Sequence, residues 1–284
     1  MQPTRALAAL VLMTALALPA RADDTALNDG RFGPEPIGGG ITGAESAIRM
    51  VREDLQFVVG KRDSSVSARF VFQNSLAVPA RQLVGFPDTT AAQLEANRRD
   101  PKGNRNITYE RGVQGPILDM ITKVDGRSVD STLRFGMVKG TFDGWTPSHD
   151  DRGFLMAWHA MWVDFPPKRP VVIERRYHTA SGTNVVGQAI FDYVVGSGGI
   201  WKGTIGELVA DVTLKDGLTV KDLAWDAKDG RNGTPGKAAW QIKSPTQLRL
   251  VWQNFEPRGT RKYDHIQLIT LPTIGSDGKP LKKR

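Results

Sequence analysis

The feature that most constrains this fold is an alternation of apolar and other residues over residues 66–73. Val66, Ala68, Phe70 and Phe72 alternate with Ser67, Arg69, Val71 and Gln73. Successive side chains of a strand point to opposite faces, so apolar residues at every second position place one face on a core. This pattern predicts a strand, and residues 48–59 and 81–86 are predicted as its neighbours.

Further strand-like segments with turn residues between them follow in the C-terminal third. They are residues 188–195, 208–214, 219–225, 238–242, 247–252 and 265–271. Many short strands at such spacing are typical of antiparallel sandwiches. We therefore predict an all-β, mainly antiparallel fold with two β-sandwich-like domains, at residues 44–180 and 181–275. A small mixed insertion at 88–150 interrupts the first domain, and Asp88 is predicted to cap a short helix there.

The middle of the chain carries the longest alternating segment, residues 153–165. Phe154, Met156, Trp158, Ala160 and Trp162 occupy every second position, and two prolines follow at 166 and 167. With the β-branched start of residues 171–178, this predicts a hairpin around residues 166–170. The alternation places Trp158 and Trp162 in the core, and the hairpin would let His159 meet His178 across it.

The N-terminus has the three parts of a secretory signal peptide. Arg5 precedes an apolar run at residues 6–19, and Ala20-Arg21-Ala22 forms a small-residue cleavage site. We expect cleavage after Ala22, which gives a periplasmic or secreted protein that does not span the membrane, because no later apolar run is long enough. Residues 23–43 are rich in glycine and proline and are predicted to be a flexible lead-in.

Charge and cysteine content narrow the function classes. Removal of the signal peptide lowers Lys+Arg from 38 to 36 against 30 Asp+Glu, so the net charge falls from +8 to +6. Half of that lies in a basic tail at residues 276–284, so the folded body is only mildly basic. Export makes nucleic acid an improbable partner. The absence of cysteine excludes thiolate catalysis, cysteine-ligated metal and disulfides.

The sequence contains no complete catalytic or metal-binding motif. Neither H-E-x-x-H nor G-x-S-x-G occurs, so we expect no metal and no cofactor. Three acids lie in apolar, strand-like contexts where burial would raise a carboxyl pKa. These acids, with one histidine, are weak candidates for a hydrolase that acts on envelope glycans or esters: Glu53, Asp192, Glu207 and His178.

The leading hypothesis is a non-enzymatic binding or accessory module of the cell envelope. Trp201 lies in a glycine-rich turn and is the candidate for an exposed or interdomain anchor. Arg258, Arg261 and Lys262 form a basic cluster that could attract anionic lipid or polysaccharide. An envelope protein, a glycan or a lipid is therefore the expected partner.

Several of these segments together resemble a known family. They are Ile48-x-Met50, Glu53-Asp54-Leu55, the alternating 66–74 segment, Gly85-Phe86-Pro87, Tyr193-Val194-Val195-Gly196 and Trp201-x-Gly203-x-Ile205-Gly206. This set resembles the exported bacterial family called domain of unknown function 4424. The resemblance implies export and a β-rich fold, and it supplies no catalytic residues.

Overall fold

The computed structural model describes residues 25–27, 48–100, 108–109, 116–138, 154–184, 186–195, 201–225, 237–255 and 265–274. The strands of the first half are β1 (Thr25–Leu27), β2 (Ile48–Val59), β3 (Asp63–Asn74), β4 (Ala80–Pro87), β5 (Thr108–Tyr109), β6 (Ile117–Val124), β7 (Arg127–Ser128) and β8 (Thr132–Val138). Those of the second half are β9 (Phe154–Phe165), β10 (Pro170–Ala180), β11 (Gly182–Thr183), β12 (Ala189–Val194), β13 (Ile205–Leu214), β14 (Trp240–Ser244), β15 (Gln247–Phe255) and β16 (His265–Ile269). The described residues contain one α-helix, α1 (Thr89–Arg99).

The strands form three sheets. The largest has eight strands in the order β14-β15-β13-β2-β3-β10-β6-β7. A second sheet has the order β1-β4-β9-β5, with β8 also pairing with β9, and a third has the order β11-β12-β16. All pairs are antiparallel except β2 with β13 and β5 with β9. The predicted all-β, mainly antiparallel, sandwich-like fold is confirmed.

A hydrophobic core lies between the eight-stranded sheet and the two smaller sheets. Phe57 of β2 contacts the ring of Phe191 on β12, and Phe72 of β3 contacts Phe165 on β9. The alternation in β3 is confirmed, since its apolar positions are buried and the intervening ones are partly exposed. One face of the eight-stranded sheet therefore packs inside the sandwich, and its other face points outward.

The predicted helix is also confirmed. Asp88 adopts an extended conformation before α1, and its Oδ1 accepts a hydrogen bond from the backbone N–H of Ala91 at 2.8 Å. A short acidic side chain at this position satisfies an amide of the first turn that has no partner within the helix. Asp88 therefore marks where β4 gives way to α1.

The predicted hairpin between residues 153–165 and 171–178 is wrong. β9 pairs with β4 and β8 in the five-stranded sheet, whereas β10 pairs with β3 and β6 in the eight-stranded sheet. The proline-containing link therefore carries the chain from one layer to the other. Alternation within a strand indicates which side chains face the core, but it does not identify the neighbouring strand.

Two local predictions also need correction. Residues 219–225 are not a strand, because Val220–Asp222 forms a 3₁₀ turn that is held by Asp222 Oδ2, which accepts from the backbone N–H and the hydroxyl of Thr219. The lead-in at residues 23–43 is not wholly irregular, because β1 pairs with Leu83 to Gly85 of β4. A strand of three residues is too short to show a recognisable alternation of apolar and polar residues.

The eight-stranded sheet continues across residue 180, where the sequence placed a domain boundary. β13 lies parallel to β2, with Glu207 opposite Arg52 and Leu214 opposite Val59. Strands from both sides of residue 180 therefore bury their apolar faces in the same core.

The predicted signal peptide at residues 1–22 and the basic tail at 276–284 lie outside the described residues. Among the helices that the structure describes, none is long and apolar enough to cross a bilayer.

Candidate functional site

The two candidate acids Glu53 and Glu207 lie on opposite faces of the same sheet. Glu53 is opposite Leu208 in the β2–β13 register, and both residues are buried on the inner face. Glu207 is opposite Arg52, one position away, and is half-buried on the outer face. Because neighbouring residues of a strand point to opposite sides, the sheet itself separates these two carboxylates.

The candidate Asp192 lies in the three-stranded sheet, where it is buried opposite Gln267 of β16. Its neighbour Tyr193 points into the shared core and donates its hydroxyl hydrogen to Oε1 of Glu53 at 3.4 Å. Alternation along β12 turns Asp192 away from the side on which Tyr193 meets Glu53. The inner carboxylate of Glu53 thus faces a phenol rather than a second acid.

On the outer face, Glu207 belongs to a network of charged and polar side chains that joins four strands. Arg52 forms an ion pair with Glu207 and contacts Asp54 at 2.7 Å, and Asp54 also accepts from Arg69 at 3.2 Å. Gln253 of β15 donates to Glu207 at 2.5 Å. The hydrogen bond from Arg52 to Asp54, followed by the charges of Asp54 and Glu207, raises the pKa of Arg52 above its ordinary value.

This network balances its own charges, with two guanidinium groups beside two carboxylates. Each side chain in it is partly exposed, so water screens the interactions. A surface that pairs its charges internally offers little net attraction to a polyanion or to an anionic lipid. The network therefore links strands and does not form a basic binding surface.

The last hydrolase candidate, His178, is exposed on the outer face of β10, opposite Ser65 of β3 and Leu118 of β6. It does not lie across a hairpin from His159, because β9 and β10 belong to different sheets. The structure therefore brings none of the four candidate residues together around a common point.

The sequence predicted an exposed Trp201 and a buried Trp162, and the structure shows the reverse. Trp201 is only 3% exposed, and its ring lies 4.7 Å from that of Phe72 and 6.3 Å from that of Phe165. It is a core residue and not an exposed anchor. Its two ring contacts, Phe72 and Phe165, lie before residue 180, the predicted domain boundary. Trp162, which the alternation placed in the core, is 42% exposed. The basic cluster Arg258, Arg261 and Lys262 lies outside the described residues.

Trp162 is the aromatic centre of a small surface that we call the Trp162 platform, formed by Trp162, Arg81 and Asp164. The guanidinium carbon of Arg81 lies 5.4 Å from the centre of the Trp162 ring, and its Nε lies 3.8 Å from Oδ1 of Asp164. A guanidinium over an indole face is a favourable cation–π arrangement. The platform therefore presents an aromatic ring, a cation and an anion side by side.

The face of β9 that carries Trp162 is buried along the first part of the strand and exposed at Trp162. Met156, Trp158 and Ala160 share its alternation and are buried. β8 pairs with residues 154–160 of β9, and its first residue, Thr132, lies opposite Ala160. The pairing of β8 therefore does not extend to Trp162. The sequence held one clue, because Asp164 occupies the next position on the same face.

Sequence reasoning also missed a pair that lies inside one end of the sandwich. His159 Nε2 lies 3.1 Å from Oδ2 of Asp88, the residue that caps α1. Both side chains are largely buried. A carboxylate that holds an imidazole in a fixed orientation is the usual arrangement for a histidine that transfers protons. The pairing of β4 with β9 brings the two residues together, because it places His159 opposite Phe86, close to Asp88. The sequence of either strand alone does not reveal this pairing.

The ring of Phe86 connects this pair to a buried arginine. Arg175 has no exposed surface, and its guanidinium carbon lies 5.3 Å from the centre of the Phe86 ring. It donates to the hydroxyl of Thr122 at 3.2 Å, and the ring of Tyr177 lies 5.6 Å from that of Phe86. Burial of a cation costs free energy unless polar and aromatic groups surround it, as they do here.

The described residues offer no group of three or more histidine, aspartate or glutamate side chains arranged to hold a metal ion. The two constellations that they do offer differ in access. The Trp162 platform is open to solvent, whereas the Asp88–His159 pair and Arg175 lie within the sandwich.

Comparison with known proteins shows a likeness in structure but none in sequence family. No protein-family model and no curated protein matches the chain. A candidate nutrient-binding protein of Legionella pneumophila is similar in structure, with a TM-score of 0.56 and 18% identity over 89% of this chain and 72% of that one. At this identity the likeness shows the fold alone. An M1 zinc metallopeptidase of Deinococcus radiodurans aligns with a TM-score of 0.36 and 8% identity over 85% of this chain and 48% of that one.

Proposed function

We propose that this chain is an exported, non-enzymatic binding or accessory module of the bacterial cell envelope, and that it contacts its partner through the Trp162 platform. The observation that carries the proposal is the 42% exposure of Trp162 beneath the guanidinium of Arg81. A large aromatic side chain in water forgoes the free energy that burial would supply, and such residues are enriched where proteins bind partners.

Three further considerations support the proposal. The signal-peptide pattern at residues 1–22 favours the periplasm or the exterior. The sequence resembles domain of unknown function 4424, and membership of that exported family is part of the proposal. The Legionella pneumophila protein that shares the fold is described as a candidate for nutrient binding, which is compatible with a binding role for this chain.

The test uses the purified mature chain, residues 23–284. It is mixed separately with peptidoglycan sacculi, with phosphatidylglycerol vesicles and with solubilised envelope proteins, and co-sedimentation or capture is measured. We expect binding to one of these components that Trp162→Ala abolishes. Leu94→Ala, which truncates an exposed side chain of α1, is the matched control and should bind like the wild type. Equal binding by wild type and Trp162→Ala would contradict the proposal.

A hydrolase is the second candidate function, and one observation favours it. The three acids and one histidine suggested by the sequence do not converge, but Asp88 orients His159 at 3.1 Å. If the protein is a hydrolase, ester, glycoside or peptide substrates should be turned over, and His159→Gln should abolish that activity. Turnover that is lost in His159→Gln would replace the binding proposal with this one.

A further inference from the structure

The Trp162 platform has the chemistry of a sugar subsite, and this inference rests on the binding function proposed above. The guanidinium of Arg81, a residue of β4, lies over the indole ring at 5.4 Å from its centre, and the Trp162 side chain remains 42% exposed. On its other side β8 begins opposite Ala160, two residues before Trp162. The guanidinium therefore restricts the approach to the ring on one side, and within the described residues no strand pairs with β9 at Trp162 on the side away from β4.

The two charged residues of the platform supply hydrogen-bonding groups of both kinds. The side chain of Arg81 is 66% exposed and that of Asp164 is 80% exposed. A guanidinium only donates hydrogen bonds, and an ionised carboxylate only accepts them. Since their charges are opposite and their nearest atoms lie 3.8 Å apart, the platform as a whole has no net charge.

This charge balance argues against an anionic lipid surface as the ligand. Attraction to such a surface requires an excess of basic residues. Here the exposed carboxylate of Asp164 lies beside the cation, 3.8 Å from Nε of Arg81, because Arg81 is directly opposite Asp164 in the pairing of β4 with β9. The platform would lose as much as it gains at a negative surface.

The size of the apolar area argues against a protein partner. A stable protein interface buries about 800 Å² on each side. Among the described residues of β4 and β9, the neighbours of Trp162 on this face are the charged pair and two buried residues, Leu83 and Ala160. A single ring bordered by charges is too small to be the centre of such an interface.

We propose that the Trp162 platform binds an uncharged sugar residue of an envelope glycan. The apolar C–H face of the sugar ring packs against the part of the indole that the Arg81 guanidinium leaves exposed. Neighbouring hydroxyls accept hydrogen bonds from the Arg81 guanidinium and donate them to the Asp164 carboxylate. Each group of the platform has a counterpart in this ligand, since a pyranose carries both an apolar face and a rim of groups that donate and accept.

The experiment measures affinity for soluble oligosaccharides of hexoses, of N-acetylhexosamines and of uronic acids by titration calorimetry with the mature chain. We expect at least one uncharged oligosaccharide to bind, with affinity lowered at least about tenfold in Trp162→Ala. Trp162→Phe should retain part of the affinity because it keeps an aromatic face. Arg81→Gln and Asp164→Asn should each weaken binding by about threefold to tenfold, and Leu94→Ala should leave it unchanged.

The outcomes separate this inference from the broader proposal. If no uncharged oligosaccharide binds through Trp162, but vesicles or envelope proteins do, the sugar assignment is overturned and the binding function stands. If uronic acid oligomers alone bind, the assignment to uncharged sugars is overturned. If no envelope component depends on Trp162, both proposals fail. Unchanged melting temperatures in the surface variants ensure that lost binding is not lost folding.

Discussion

Tyr193 on β12 donates a hydrogen bond to Glu53 on β2 at 3.4 Å, inside the core and between two different sheets. Both side chains are almost completely buried. Burial of a carboxyl group is unfavourable unless other groups hydrogen-bond to it, so a donor from the facing layer stabilises Glu53. The pair therefore helps to fix how the three-stranded sheet packs on the eight-stranded sheet.

Tyr193→Phe should lower the free energy of unfolding by about 1–3 kcal/mol, because it removes a donor from a buried acid while keeping the ring. The ring contact with Phe57, at 5.0 Å, would remain. Urea denaturation of the mature chain checks this. Asp54→Asn, on the outer face of the same strand as Glu53, is the control and should cost less than about 1 kcal/mol. An equal loss in both variants would show that the cross-sheet bond has no particular importance.

Asp88 has two partners, and two substitutions separate them. Asp88→Ala should cost about 1–2 kcal/mol, because it removes the cap of α1 and the partner of His159 together. Asp88→Asn keeps an acceptor for the backbone N–H of Ala91 and should cost less than half as much. The measurement is again denaturation, followed by circular dichroism. Equal costs would mean that the contact with His159, and not the cap, is what stabilises this end of the sandwich.

The strands were largely predictable from the sequence, because alternation records which face of each strand is buried. Residues 66–73 show this most clearly, and β3 extends over Asp63–Asn74. The partners of the strands were not predictable. β2 and β13 are parallel neighbours whose contacting residues, such as Arg52 and Glu207, are 155 positions apart in the chain. Nothing within either strand specifies such a pairing.

The candidate site was less predictable for the same physical reason. Alternation places Trp162 on the same face as Trp158, but it does not show that β8 ends before reaching Trp162. It also gives no indication that the turn around Trp201 folds back onto Phe72. Exposure depends on what covers a face, which is a property of the whole sandwich and not of one strand.

The carboxyl group of Glu95 on α1 should titrate far below its ordinary range. Hydrogen bonds from Arg98, and then from Arg99, lower its pKa to about 2 from 4.5. Because the folded-state pKa is depressed, this contribution to stability is present above the unfolded pKa of 4.5 and is lost as the pH falls toward 2. Carbon-13 NMR titration of the glutamate carboxyls measures it.

Arg98→Gln combined with Arg99→Gln is the control for this titration. With both donors removed, the midpoint of Glu95 should return toward 4.5. A wild-type midpoint already near 4.5 would show that the two arginines are solvated and do not hold the carboxylate.

The ion pair between Arg52 and Glu207 should make a small contribution that depends on salt. Both side chains are partly exposed, at 43% and 28%, so a double-mutant cycle with Arg52→Ala and Glu207→Ala should give a coupling of about 0.2–1 kcal/mol. The cycle is needed because Arg52 also binds Asp54. The coupling should shrink when the salt concentration is raised to about 1 M. A coupling that is insensitive to salt would contradict the solvent-exposed character of the network.

Gly206 should be the position in β13 that least tolerates a side chain. Gly206 is the second residue of β13 and lies against an irregular part of β2, where the pairing register of β2 with β3 shifts between Met50 and Arg52. A Cβ atom on Gly206 would overlap the backbone carbonyl oxygen of Val51. Backbone in the middle of a sheet cannot move aside as a flexible side chain can, so Gly206→Ala must push β13 away from β2.

We expect Gly206→Ala to lower the free energy of unfolding by about 1–3 kcal/mol, the usual cost of overpacking. Thr213→Val, at an exposed position of the same strand, keeps a β-branched side chain and should stay within about 0.5 kcal/mol of the wild type. Denaturation of both variants with urea gives the comparison. The parallel pair of β13 and β2 connects the parts of the chain before and after residue 180. If Gly206→Ala unfolds in two steps, this pair is what makes the two parts of the wild-type chain unfold together. If Gly206→Ala were as stable as the wild type, the close approach of β13 to Val51 would not constrain the sheet.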